Sequence, residues 1–156
     1  MKSPSRPLEH PAGGDPSYPL GVAGRAAIRR PDGRVLLVRR SEHETSDPST
    51  WELPGGKMGY REQLIETVIR EVREETGLHV RPGRVIDVGH RRVDPYWVTV
   101  VTYLCDNPGQ PITLGDEHDA YEWVPIRIAG ERPTTPEAVD ALRALSVACV
   151  SGDVVE

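Results

Sequence analysis

The stretch that decides the reading runs from Gly56 to Leu78, GKMGYREQLIETVIREVREETGL. It places Glu62, Glu66, Glu71, Glu74 and Glu75 with Arg70 and Arg73 on one short predicted helix, with a glycine at each end. Gly56 closes a loop, and the helix is expected to begin at Arg61 or Glu62. Leu64, Ile65, Val68, Ile69 and Val72 then recur at helical spacing and make one apolar stripe, the mark of a helix packed on a core. Gly77 supplies a left-handed stop after the last turn. Projected at about 100° per residue, Glu75 falls roughly 50° from the centre of the stripe, Glu71 about 90° and Glu74 about 150°. Two of the carboxylates therefore belong to the edge of the buried face.

That arrangement is unfavourable by itself. Glu71 with Glu75 is a like-charge pair at i,i+4 and Glu71 with Glu74 one at i,i+3, and each costs a few tenths of a kcal/mol. All three lie in the last two turns, where the helix dipole disfavours negative charge. A divalent cation reverses each penalty, and oxygen-only ligands from neighbouring positions suit a hard ion such as Mg²⁺ or Mn²⁺. The plain alternative is a solvated acidic face laced by pairs such as Glu66 with Arg70 and Arg70 with Glu74. Such a face has no use for Gly56, for Glu62 or for charge clustered at the wrong helix end.

Taken whole, the segment resembles the complete signature of the Nudix hydrolase superfamily, the family of MutT. Its elements are Gly56, five residues, Glu62, seven residues, and then Arg70-Glu71-Val72-Arg73-Glu74-Glu75-Thr76-Gly77-Leu78. The flank Trp51-Glu52-Leu53-Pro54-Gly55-Gly56 is similar to the strand and loop that enter this motif. The resemblance implies a Nudix-type α/β/α sandwich, with a mixed β-sheet between helices. It also implies an enzyme that cuts a pyrophosphate bond in a nucleoside diphosphate linked to another moiety, using Mg²⁺ or Mn²⁺. Residue by residue, it makes Glu71, Glu74 and Glu75 metal-binding glutamates and Gly55 a backbone-carbonyl ligand. Arg70 becomes the arginine that orients the carboxylates, and Glu62, Gly56 and Gly77 become supporting positions.

Phosphoryl transfer requires the phosphate oxygens to be neutralised, a water aligned with the leaving oxygen, and a proton removed from that water. Two ions about 3.5 to 4 Å apart do the first two jobs together, and one carboxylate remains to act as base. The resemblance allows that base to be a motif glutamate or an acid on a later loop. Asp116-Glu117-His118-Asp119 looks like such a loop, which makes Glu117 a candidate base or further metal ligand; an acidic surface turn beside Gly115 is the alternative. Upstream, Arg39 and Arg40 end a strand where related enzymes carry a substrate-binding arginine, and strand alternation lets only one of them face the cleft. Tyr96, Trp97 and Trp51 are candidates for stacking on a base, with core packing as the alternative. His90 and His118 are assigned no catalytic role.

Substrate identity is less sharply marked. Pro95 and Tyr96 stand 17 and 18 positions beyond Leu78, and the family's markers for ADP-ribose and for dinucleoside polyphosphates point different ways there. Tyr96-Trp97-Val98-Thr99-Val100 and Tyr121-Glu122-Trp123-Val124-Pro125 are similar to Nudix enzymes acting on nucleoside triphosphates. A nucleoside di- or triphosphate is the expected small-molecule substrate, with a nucleotide sugar of the ADP-ribose type or a dinucleoside polyphosphate as alternatives. A regulator that binds a nucleotide without cutting it is a reading from another class, opposed by the retention of all the motif glutamates.

Composition agrees with these expectations. The chain of 156 residues is one domain by size and long enough for a real core. A net charge of -5 argues against a general nucleic-acid or anionic-membrane surface, although Arg39, Arg40, Arg91 and Arg92 leave room for a local basic path along an RNA end. Cys105 and Cys149 are too few and too far apart for a disulfide framework or a zinc site, and Cys105, ending an apolar strand, reads as a core residue. No apolar signal core or membrane-length run is present, so the expected compartment is the cytoplasm, and a homodimer is left open.

Residues 1–19, rich in proline and glycine, read as a flexible arm, with the Nudix hydrolase domain over 20–156. Val22 to Arg29 and Val35 to Arg40 are predicted to form a hairpin about Pro31-Asp32-Gly33. Val85 to His90, Tyr96 to Cys105 and Ala120 to Val124 are further strand candidates. Asp106 to Asp119 reads as a loop, and Pro136 to Val150 as a second main helix.

Overall fold

The computed structural model describes residues 19–93, 95–132 and 134–150, the last three as backbone only. The arm expected over 1–19 lies outside these residues except for its final proline. The strands are β1 (Leu20–Arg29), β2 (Arg34–Arg40), β3 (Trp51–Glu52), β4 (Gly55–Lys57), β5 (Pro82–Val93), β6 (Tyr96–Asp106) and β7 (His118–Pro125), and the helices are α1 (Leu64–Thr76), α2 (Ile126–Ala129) and α3 (Pro136–Val150). They build one mixed sheet in the order β3-β2-β1-β6-β5, with β4 added on β1 and β7 on β2. β1 and β6 run parallel from Leu20↔Trp97 to Arg29↔Asp106, and the other pairs are antiparallel.

Alternation along β1 and β2 assigns the two faces. Ala26, Ile28 and Leu36 pack with Val68 and Val72 of α1, whereas Ala27, Val35 and Leu37 pack with Ala138, Leu142 and Leu145 of α3. The expected α/β/α sandwich with a mixed sheet between helices is the observed architecture. Cys105 is buried in the α1-side core, and burial pushes its thiol up to about 12. Among the described residues no helix is long and apolar enough to cross a membrane.

Three local expectations need correction. The β1–β2 hairpin turns at Pro31-Asp32-Gly33 with Gly33 at φ +78°, but the strands pair only at Arg29↔Val35 and then part. β2 pairs with β7 along its length, while the Ala26 N–H donates to the Pro54 carbonyl at 2.8 Å, so the segment entering β4 fills the gap with the buried Leu53.

The second correction concerns the start of α1, which begins at Leu64 rather than at residue 61 or 62. Arg61 adopts φ +61°, outside the helical region, and the Glu62 carboxylate turns back to accept the Gly59 N–H at 2.8 Å. Gln63 is the N-cap, in a capping box with Glu66.

The third concerns the apolar stripe. Val68 and Val72 are fully buried, but Ile65 and Ile69 are 45% and 37% exposed. Removing those two rotates the centre of the buried arc by roughly 30° toward Glu71 and Glu75. The carboxylates are driven further into the protein than the isoleucine-bearing stripe implied.

Candidate functional site

A cleft of ≈ 320 Å³ opens where β1, β4, β5 and β6 meet the C-terminal half of α1. One wall is apolar, formed by Ala23, Val93, Val98 and Val100. The rest is charged: Arg25, Arg40, Lys57 and Arg91 face Asp47, Glu52, Glu71, Glu75, Glu117 and Glu137. Acidic groups outnumber cationic ones, so a polyphosphate entering this space needs further positive charge.

The burial of the α1 carboxylates follows the order expected from helical projection. Glu75 is 6% exposed, and the side chains of Glu71 and Glu74 are 19% and 59% exposed. Gly56 carries no side chain where a Cβ would lie 2.5 Å from the Glu71 carboxyl carbon, so that glycine makes room for the carboxylate. Arg70 collects the acids: Nη1 donates to Glu71 Oε1 at 2.7 Å and to Glu74 Oε2 at 3.3 Å, and Nε donates to Glu62 Oε1 at 2.7 Å. Those bonds from Arg70, followed by the Gly59 N–H and the Thr67 hydroxyl, hold the Glu62 carboxyl at about 2. Glu62 thus anchors the arginine that spans the carboxylates.

Glu75 is in a different state. Its Oε2 accepts the Gly55 N–H at 2.9 Å, and burial pushes its carboxyl up to about 8, with Glu52 and Glu71 adding to the rise and Arg25 and the Gly55 N–H opposing it. Gly55 itself sits at φ +146°. The end of α1 is fixed by Gly77, at φ +74° with its N–H on the Arg73 carbonyl, and by the following loop. Thr113 N–H donates to the Thr76 carbonyl at 2.9 Å and Gly115 N–H to the Glu75 carbonyl at 3.0 Å, satisfying carbonyls that a helix end leaves orphaned. This capping brings the exposed Glu117 to the cleft, as one of its lining residues.

The two arginines of β2 separate as alternation requires. Arg40 lines the cleft, with Nη2 on Glu44 at 3.0 Å and Nη1 on Glu52 at 3.3 Å. Arg39 is turned away to Asp119 at 2.7 Å and lies over the Trp51 ring, so it is not brought to the site. The Tyr96 ring lies 4.9 Å from Lys57 Nζ, but Tyr96 is not among the described residues that line the cleft. Trp97 stacks on His90 with centroids 6.3 Å apart, and it is not among the described residues that line the cleft.

Sequence reasoning missed the buried floor. Glu52 is 2% exposed and pairs with His118 Nε2 at 2.8 Å, with Arg40, and with Arg25 Nη2 at 3.6 Å. Burial opposes its ionisation, yet Arg25, the His118 hydrogen bond and Arg40 hold its carboxyl below the usual range. Arg91 of β5 bridges Asp47 and Glu137, the latter at 2.9 Å. The visible signals were a charged residue interrupting each apolar run, Arg25 in β1 and Glu52 before Leu53.

The raised Glu75 carboxyl has a pH consequence. Its folded value of about 8 exceeds the ordinary 4.5, so the protein loses stability as pH rises, beginning near the unfolded value and finishing near the folded one. A divalent ion, if held by this carboxylate, would require the ionised form and displace its proton. Stabilisation by Mg²⁺ should therefore grow from about pH 6 to about pH 9, measured as the shift in melting temperature with and without MgCl₂. A shift of the same size at both pH values would remove Glu75 from the ion's ligands.

Comparison with known proteins agrees with this geometry. The NUDIX domain family model matches residues 19–145. A MutT-like protein of Streptomyces ambofaciens is 32% identical over 141 residues, 90% of this chain and 84% of the relative. The CTP pyrophosphohydrolase of Escherichia coli K12 is 30% identical over 121 residues, 76% of this chain and 87% of the relative. The crystal structure of a MutT protein from Methanosarcina mazei Go1 superposes with a TM-score of 0.78 at 30% identity, covering 85% of this chain and 97% of that one.

Proposed function

Because this chain belongs to the Nudix hydrolase family, we propose that it hydrolyses the pyrophosphate linkage of a nucleoside di- or triphosphate by attack of water on phosphorus, with Mg²⁺ or Mn²⁺ at Glu71, Glu74 and Glu75. The observation that carries this reading is the acidic end of α1, whose Glu71 and Glu75 line a cleft that joins an apolar wall to four cationic side chains, with the more exposed Glu74 one turn away, held by Arg70. The wall suits a base and the cations suit a phosphate chain. Similarity to a CTP pyrophosphohydrolase supports the substrate class. Of the arginines expected to offer a basic path for RNA, Arg39 is tied to Asp119 and is not among the described residues that line the cleft, and this favours a small nucleotide.

The residues fit a hard cation. Their donors are carboxylate oxygens, Gly56 leaves space beside Glu71, and burial makes an uncompensated Glu75 anion unfavourable. Among the described residues no three His, Cys, Asp or Glu side chains already stand as a ligand set, because Arg70 holds Glu71 and Glu74 and the Gly55 N–H holds Glu75. Glu71 and Glu74, now on Arg70, would hold the ion with Glu75, and Glu62 would keep the guanidinium in place. The ion supplies charge neutralisation and lowers the pKa of a bound water. Arg40, Lys57 and Arg91 orient the phosphates, and Glu117 takes the proton of the attacking water.

A panel of nucleoside di- and triphosphates, ADP-ribose and dinucleoside polyphosphates, assayed with Mg²⁺ for both products, tests this. Preference for a nucleoside di- or triphosphate is expected; binding without turnover for every compound contradicts it and favours a sensor. For Glu117→Gln the expected result is a roughly tenfold or greater fall in kcat with KM little changed. Asp119→Asn, whose target is tied to Arg39 outside the cleft, should change kcat less than about twofold. Equal small effects return the role of base to a helix carboxylate, Glu71.

A further inference from the structure

Arg25 breaks the apolar run of β1 and carries a charge into the cleft floor. Strand pairing sets it opposite Gly55 on one side and Thr102 on the other, and its side chain is 15% exposed. Nη1 donates to the Gly55 carbonyl at 3.0 Å and to the Leu53 carbonyl at 3.2 Å, and Nη2 lies 3.6 Å from Glu52 Oε2. Gly55 also donates its N–H to Glu75 Oε2 at 2.9 Å. One glycine therefore holds the guanidinium through its carbonyl and the buried carboxylate through its amide. The fit depends on that glycine, since a Cβ at position 55 would fall 3.0 Å from Arg25 Cδ.

A guanidinium stays charged at any working pH and offers donors in a rigid planar fork. Here the fork is committed to two carbonyls and a carboxylate, so swinging out would take this donor from both carbonyls and leave Glu52 only His118 and Arg40. A divalent ion approaching the Gly55 carbonyl would meet this fixed positive charge and be repelled. Glu75 uses Oε2 for Gly55, which leaves its other oxygen, with the Glu71 and Glu74 carboxylates, to receive an ion.

We propose that Arg25 is a resident cation of the site: it takes the corner formed by the Gly55 carbonyl, Glu52 and Glu75, so that the nucleotide-free protein binds one exchangeable divalent ion, at the α1 carboxylates, and none at the Gly55 carbonyl. The inference rests on the metal-dependent reading above and narrows it. Arg25 acts as a positioning residue whose charge replaces that of a second ion, and its contribution is untouched by chelators. Gly55, expected from the sequence to be a metal ligand, serves instead as the acceptor that seats the guanidinium.

Mn²⁺ binding to the nucleotide-free protein, counted by the electron paramagnetic resonance signal of free Mn²⁺, tests this without reference to activity. The expected stoichiometry is one per chain in the wild type, two in Arg25→Met, where the carbonyl and Glu75 are released, and one in Arg25→Lys, which keeps the charge. Two ions in the wild type, or one in a folded Arg25→Met protein, overturns the inference and leaves the hydrolase reading standing. No Mn²⁺ binding in the wild type overturns the metal reading itself. If Arg25→Met does not fold, Arg25→Lys decides with the wild type: one ion in both supports the proposal, and a second ion in either overturns it.

Discussion

Glu75→Gln is expected to cut turnover by roughly a hundredfold or more while raising the melting temperature of the metal-free protein. The two effects have one cause. Glu75 is buried on the core-facing edge of α1, and its carboxyl is pushed up to about 8. With its folded value near 8 it is mostly protonated at neutral pH, and keeping that proton costs on the order of 3 kcal/mol relative to an ordinary, ionised carboxyl. Glutamine removes that cost and still accepts the Gly55 N–H through its amide oxygen. It cannot supply the anionic oxygen that a hard cation prefers, so the gain in stability comes with a loss of the ion. Turnover and thermal melting in the absence of metal measure the two halves separately. A variant that keeps full activity, or one that melts lower than the wild type, contradicts the assignment.

Gly55→Ala should produce the largest loss of stability of any single substitution near the cleft. The residue adopts φ +146°, and a Cβ there would lie 2.1 Å from the Gly24 carbonyl oxygen and 2.8 Å from Arg25 Cα. Both neighbours are backbone of the central strand β1, so no side-chain rotation relieves the clash. A cost of at least about 3 kcal/mol follows from strain of this kind, or roughly 10 °C in melting temperature for a domain this size. The substitution also displaces the amide that holds Glu75 and the carbonyl that seats Arg25. Gly33→Ala is a useful control: it too has positive φ but open space around the missing Cβ, and should cost only about 1 kcal/mol. Similar melting temperatures for the two variants would contradict the close packing of β4 on β1.

The acidic helix was legible because its evidence is local. Spacing within a dozen residues located the helix, and the projected angles ordered the burial of Glu75, Glu71 and Glu74 correctly. The bounds of α3 followed from its periodicity and from Pro136 at the start. Arg61 in a left-handed conformation and the exposed isoleucines were not legible, since a helix of this composition accepts either register until the sheet beneath it selects one. The parting of β1 from β2 was hidden for a similar reason: a turn signal shows where two strands reverse and says nothing about which third strand each prefers. The floor of the cleft was hidden most completely. Glu52 meets His118, Arg25 meets Gly55, and Arg91 meets Glu137 across long sequence separations, and a single charge in a strand carries no periodic signature.

The claim on which the account depends is that α1 directs water onto a phosphorus atom of a bound nucleotide. Hydrolysis in ¹⁸O-labelled water with Mg²⁺, followed by mass spectrometry of both products, tests it most directly, with EDTA-treated enzyme and Glu74→Gln run in parallel. The account predicts one labelled oxygen on a phosphate of one product, formed only with the metal and at a rate lowered roughly a hundredfold or more in Glu74→Gln. Products without label, or labelled products formed equally well by the EDTA-treated enzyme and by Glu74→Gln, would contradict it.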